Sequence, residues 1–273
     1  MGGGSGGAPA EPTPSIMEDP VEFFYHWRGT ASVFAFCWTF IVAFIVSLFQ
    51  YGPAAILGAV NEWKFEVLDD IVESDGVFPM LGASIGFTTM FSLAAALTVY
   101  WGGPGVAGSG LPQLVSYISC GYTMNPDLAT FSTMLLKNFA MTCVVWGGLS
   151  VGREGPAIMI GAATALAVGK LLRVAIQKIL VDYPRFDETL AQLSVGSFKK
   201  AFSGEWDHEI LHIGAAAGFA CAFNAPLGGM MFVYEEVAVH WTQHSEMSSR
   251  IFFGVAIAIG FQKLFKEIIT NSL

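Results

Sequence analysis

Residues 131–172 read FSTMLLKNFAMTCVVWGGLSVGREGPAIMIGAATALAVGKLL. One apolar helix is expected over Phe131–Leu149 and a second from the break to Leu172, with Ser-Val-Gly-Arg-Glu-Gly-Pro between them. A Glu beside a helix start ordinarily sits at a surface, where it complements the positive end of the helix dipole. Here both flanking helices are apolar, so Glu154 is expected at membrane depth. An ionisable residue there costs about 2.5–3.5 kcal/mol on insertion scales and marks a functional site. The competing reading is an Arg153–Glu154 pair that neutralises itself at the interface.

The rest of the chain has the same character. Of 273 residues, 53% are hydrophobic and 13% charged, where a soluble domain would carry roughly a quarter charged residues. Mean hydropathy is +0.56. No Asp, Glu, Lys or Arg occurs over Gly29–Asn61, Gly76–Pro126 or Ile210–Tyr234. A spanning helix needs about 20 apolar residues, so these runs predict an all-α, polytopic transmembrane bundle. The net charge of −9 excludes a nucleic-acid partner, which wants clustered Lys and Arg. Cys37, Cys120, Cys143 and Cys221 are scattered singly through apolar segments and read as core residues rather than a metal or disulfide framework. No nucleophile–base pair or cofactor loop indicates an enzyme, and no cofactor is expected.

Along the chain, residues 1–29 read as a Gly/Pro-rich tail and an interfacial segment, and 30–273 as the membrane domain. Spans are expected over Thr30–Phe49 and Met80–Trp101, joined by an acidic linker, Gln50–Pro79. A Gly-rich break, Gly102–Gly110, leads into a short helix over Leu111–Ser119. After a polar linker (Gly121–Thr130) and the pair of helices above, the longest polar insertion covers Lys170–His208. Helices over Ile210–Phe223, Pro226–Trp241 and Ser249–Phe265 complete the pattern. Several are too short to span and meet at Gly- or Pro-marked breaks. Such breaks survive at membrane depth only where they are buried in protein or line a cavity, and transporters aim half-helix N-termini at an anion there.

Two further motifs carry chemistry. In Gly108-Ser109-Gly110-Leu111-Pro112 the glycines allow close backbone approach, Ser109 offers a hydroxyl, and Pro112 suits a first helical turn. Alone, it reads more readily as an ordinary Gly-rich turn. In Gly214-Ala-Ala-Ala-Gly218 through Asn224-Ala-Pro-Leu to Tyr234-Glu235-Glu236, small residues permit tight packing, Asn224 can cap, and two carboxylates follow in an apolar helix.

In this order and spacing the three motifs resemble the CLC family of chloride channels and proton-coupled chloride exchangers, over roughly Ser32–Phe265. The resemblance implies a fold of broken and re-entrant helices, with chloride and protons as the transported species. It implies an anion site built from Gly108, Ser109, Gly110, Leu111 and Pro112 with Gly152, Arg153, Glu154, Gly155 and Pro156. Within it Ser109 donates to the ion and Glu154 is the gate, while Glu236 is the inner proton-transfer residue of an exchanger. The helices from Pro226 and Ser249 match two at the family's homodimer interface. Gln113, the long insertion and the Trp241 region look most like the endolysosomal exchanger branch, whose members sit in lysosome, vesicle or vacuole membranes.

Only the N-terminal half of the family's inverted-repeat pattern is present. The Gly-x-Phe-x-Pro helix start, the tyrosine that completes the anion site and the cytosolic domains are absent. The expectation is a truncated reading, a partner supplying the missing half, or two copies pairing. A channel of the same family, or a non-transporting membrane subunit, are the alternative functions.

Overall fold

The computed structural model describes residues 33–120, 130–182, 207–237 and 245–272, all helix or short connection. The elements are α1 (Val33–Asp75), α2 (Val77–Gly102), α3 (Leu111–Cys120), α4 (Phe131–Trp146), α5 (Glu154–Asp182), α6 (Asp207–Phe223), α7 (Pro226–Phe232) and α8 (Ser245–Ser272). A π-helical turn, Val233–Val237, extends α7. The expected N-terminal tail, the polar linker before α4 and Trp241 lie outside the described residues.

Three of these helices are long and apolar enough to cross a membrane, over Ala35–Asp75, Val77–Gly102 and Glu154–Lys178. α2 buries little of itself and exposes Phe78, Ile85, Leu93, Tyr100 and Trp101, as a lipid-facing helix does. The centre is the α5–α6 pair. Ala215, Ala216 and Ala217 are fully buried, and glycines let the two backbones touch. A methyl at Gly218 would stand 2.5 Å from the Ala157 carbonyl oxygen, and one at Gly161 would overlap that of Gly214. Small residues on both helices therefore set the packing distance. α1 and α8 close around this pair, with Trp38, Val42, Val46 and Ala258 against Ala165, Ile210 and Ala217. Cys143 and Cys221 are buried as expected; Cys37 is exposed.

The structure corrects the acidic linker. Gln50–Asp75 is not a connection but the second half of α1, a single 43-residue helix with Pro53 inside it. At about 1.5 Å per residue it is about twice the ~30 Å hydrocarbon core, so the acidic end continues past the apolar layer. Glu62, Glu66, Asp69, Asp70 and Glu73 are all exposed while Lys64 and Leu68 are buried, the spacing of a one-sided helix.

Pro53 would normally break a helix, by clash and by leaving the carbonyl four residues back without a donor. That carbonyl is Phe49, and Asn138 Nδ2 of α4 donates to it at 3.3 Å. Two further bonds tie the extension to α4. Trp146 Nε1 donates to Leu57 O at 3.3 Å, and Lys64 Nζ donates to Trp146 O at 2.7 Å. The helix turns only at Gly76, whose φ of 90° suits glycine.

The other boundaries shift less. α5 runs to Asp182, ten residues past the expected end, so helix replaces the start of the polar insertion. α7 is short: the apolar run after Pro226 passes into the π turn before Glu235 and Glu236.

Candidate anion site

α3 and α5 begin at motifs far apart in sequence, and the fold sets their starts side by side. A methyl at Gly155 would stand 2.6 Å from Ser109 Cβ and 3.4 Å from its Oγ. Gly108 and Gly110 have φ of 66° and 77°, the left-handed conformation that glycine adopts without strain. The loop can therefore reverse direction on either side of Ser109. The Leu111 N–H donates to Ser109 Oγ at 3.3 Å. The serine oxygen thus holds the first turn of α3 as an acceptor, and a hydroxyl can donate as well. Two helix N-termini meet here, each with unpaired N–H groups and about half a positive charge.

Lys137 adds a buried amine that the sequence reading missed. It is 4% exposed, and its Nζ donates to Gly108 O at 3.0 Å. The same ammonium lies 3.4 Å from where a Gly110 side chain would start. The signal was available: Lys137 is the one charge in the apolar run Phe131–Trp146, and buried ionisable groups in such runs are functional by default.

Glu154 is the first residue of α5 and is half-buried. Its carboxylate folds back against Gly152, where any side chain would overlap it. Arg153 does not neutralise it. The guanidinium turns to the C-terminus of α6 and donates to Ala222 O at 2.7 Å. The neighbouring carbonyls there are also held, Cys221 O by Gln262 Nε2 at 2.9 Å and Ala220 O by Ala225 N at 3.1 Å. Arg153 so places a cation on the negative end of a helix and fixes the approach to Glu154.

Asn224 closes α6 in the left-handed conformation, φ 52°, rather than capping α7, which starts at Pro226 without a side-chain cap. Glu235 and Glu236 are exposed on the π turn, which packs against α3 and α6. Among the described residues no hydrogen bond or ion pair joins Glu236 to Ser109 or Glu154. The structure thus brings together Ser109 and Gly155, turns the Glu154 carboxylate back on Gly152, directs Arg153 to α6, and leaves Glu236 on a separate element.

Residues 89–271, about two thirds of the chain, match the family described as Voltage gated chloride channel. The chain belongs to the CLC family. It is an integral, multi-pass membrane protein. It is 28% identical over 258 residues to Chloride channel protein CLC-a of Arabidopsis thaliana, covering 90% of this chain and 30% of the relative. Chloride channel protein D of Dictyostelium discoideum is 30% identical over 227 residues, 80% of this chain and 21% of the relative. The H(+)/Cl(-) exchange transporter 7 of Mus musculus is 29% identical over 191 residues, 70% and 21%. The chain spans about a fifth to a third of the length of these CLC proteins.

Proposed function

We propose that this CLC chain carries the gate half of a chloride pathway coupled to protons. The observation that carries it is the meeting of two helix N-termini, one of them begun by Glu154, with the buried Lys137 bonded to the Gly108 carbonyl of the same loop. Such a place holds one negative charge well and two badly, because like charges a few ångströms apart repel strongly out of water. Ionised Glu154 competes with chloride for these donors. Protonation releases the side chain and admits the ion, with the Ser109 hydroxyl and the α3 N–H groups replacing its water. Proton exchange, rather than simple conduction, rests on Glu236 as the inner proton-transfer residue.

Chloride and proton fluxes from liposomes holding the purified chain test this. Glu154→Ala is expected to abolish chloride-driven proton movement while chloride passage continues. Glu236→Val is expected to remove proton coupling selectively. Proton pumping retained in Glu154→Ala would sink the gate assignment, and no flux from the unaltered chain would show that transport needs the rest of a CLC pore.

Two finer assignments belong with this reading. α7 and α8 expose Leu227, Met231, Phe252 and Leu264, which supports a homodimer through that face; mass measurement in detergent should give twice the chain mass. Gln113 and the long insertion support an intracellular vesicle or vacuole membrane, which a fluorescent fusion would reveal.

A further inference from the structure

Lys64 stands among the acids of the α1 extension, yet it bonds a backbone carbonyl. Its side chain is buried while Glu62, Glu66, Asp69 and Asp70 are exposed. Side chains on a helix meet at spacings of three and four, and the residues so placed around Lys64 are Val60, Asn61, Val67 and Leu68. Among the described residues no carboxylate pairs with it. Nζ donates instead to Trp146 O at 2.7 Å, the carbonyl of the last residue of α4. The final carbonyls of a helix have no partner within it, and a lysine is a common donor to them.

This bond is one of three that a single face of α1 makes around the segment leading into Glu154. Gln50, Leu57 and Lys64 follow one another at intervals of seven residues. Seven residues are close to two turns, so the three share a face over about 21 Å. Gln50 Nε2 donates to Ala157 O in the first turn of α5 at 2.8 Å. Leu57 O accepts from Trp146 Nε1 at 3.3 Å. Trp146 is therefore held to α1 by its indole nitrogen and by its carbonyl, and its ring meets that of Phe91 on α2 at 5.5 Å. Residues 147–153 run between these anchors. The Leu149 N–H returns to Val144 O at 3.4 Å, and Arg153 fastens the other end of the segment to Ala222 O.

We propose that Lys64 is a positioning residue for Glu154, acting through the end of α4. α1 is one continuous helix across this stretch, so its bonded face holds the end of α4 and the start of α5 at a fixed separation. The Lys64 bond keeps the last turn of α4 from fraying into the loop. The loop in turn holds Gly152 where the Glu154 carboxylate folds against it. Without the bond Trp146 O loses its donor, and the slack passes along the loop until Arg153 stops it. Gly152 and the Glu154 side chain then part. The movement of the loop stands by itself, and only its consequence for chloride rests on the gate reading. In that reading a loosened Glu154 competes less well for the helix N-termini, so a halide binds more tightly.

The test follows the backbone amide signal of Gly152 by NMR in the full chain in detergent, with Ala215, Ala216 and Ala217 of the α5–α6 crossing reporting on the fold. Lys64→Met is expected to shift or broaden Gly152 and leave the three alanines in place. Lys64→Arg, which keeps a donor for the carbonyl, is expected to return Gly152 towards its native position. Trp146→Phe keeps a ring but removes the bond to Leu57, and is expected to move Gly152 in the same way; it decides the matter if Lys64→Met does not fold. A Gly152 signal that stays fixed, that moves only together with the three alanines, or that Lys64→Arg leaves as displaced as Lys64→Met does, overturns the assignment. A bromide titration then reads the gate. Lys64→Met is expected to tighten binding severalfold in the native chain and to leave it unchanged in Glu154→Ala. A displaced Gly152 with the same change in affinity in both backgrounds, or with no halide binding in either, keeps Lys64 as the brace of the loop and counts against the gate reading alone.

Discussion

Lys137 shows how one side chain changes the chemistry of a site. Its amine holds the loop through Gly108 O, beside helix ends that carry partial positive charge. Hydrogen bonds to charged groups are worth about 1.5–3 kcal/mol. Lys137→Met is therefore expected to weaken halide binding by roughly tenfold or more, at 1.4 kcal/mol per decade, in a bromide or chloride titration of the purified chain. Unchanged affinity would remove Lys137 from the site. Arg153 belongs to a different class despite standing next to Glu154. Its contact is with α6, so Arg153→Met should lower unfolding stability by about 1.5–3 kcal/mol, read as a lower midpoint of thermal unfolding in detergent.

At the scale of the element, α1 is the informative case. A proline inside a helix costs about 3 kcal/mol, yet α1 continues because α4 supplies the missing donor. In Pro53→Ala the new N–H competes with Asn138 for Phe49 O. Asn138→Ala should then destabilise the native chain by about 1–3 kcal/mol, the upper range of the penalty for an orphaned carbonyl, and the Pro53→Ala chain by about 1 kcal/mol less. A double-mutant cycle by unfolding measures that difference directly. Additive effects would mean that the carbonyl finds another partner. α3 is the opposite kind of element. It is short, and its placement depends on Leu114, fully buried, with Leu111, Tyr117 and Ile118 packed against the same core.

For the whole molecule, the decisive contact is the α5–α6 crossing. It carries the start of α5, and with it Glu154, to a fixed distance from Ser109. Gly218→Val inserts atoms where the Ala157 carbonyl already stands 2.5 Å away. Overpacking of this kind costs about 1–3 kcal/mol, so a lower unfolding midpoint is expected, together with weaker halide binding because the two N-termini separate. Loss of stability with unaltered binding would show that the site is held by α3 and α4 alone.

Much of this was legible in the residues. Long charge-free runs determine that the chain is helical and in the membrane, because only internally bonded helices satisfy their backbone there. Three ordered motifs point to the family and put Ser109 and Glu154 forward as candidates. Pairing between distant segments was not legible. A row of acids read as a linker, since local sequence does not show that Asn138 would come to the Phe49 carbonyl 89 residues away and carry the helix past Pro53. Arg153 and Glu154 adjoin in sequence, yet only the fold sends the guanidinium to Ala222. Lys137 looked like one lysine in an apolar helix until packing set it against Gly108. Charge and period are properties of a segment and can be read from it. The partner of a buried donor or carbonyl is chosen by the crossing of helices, and tertiary structure alone decides that.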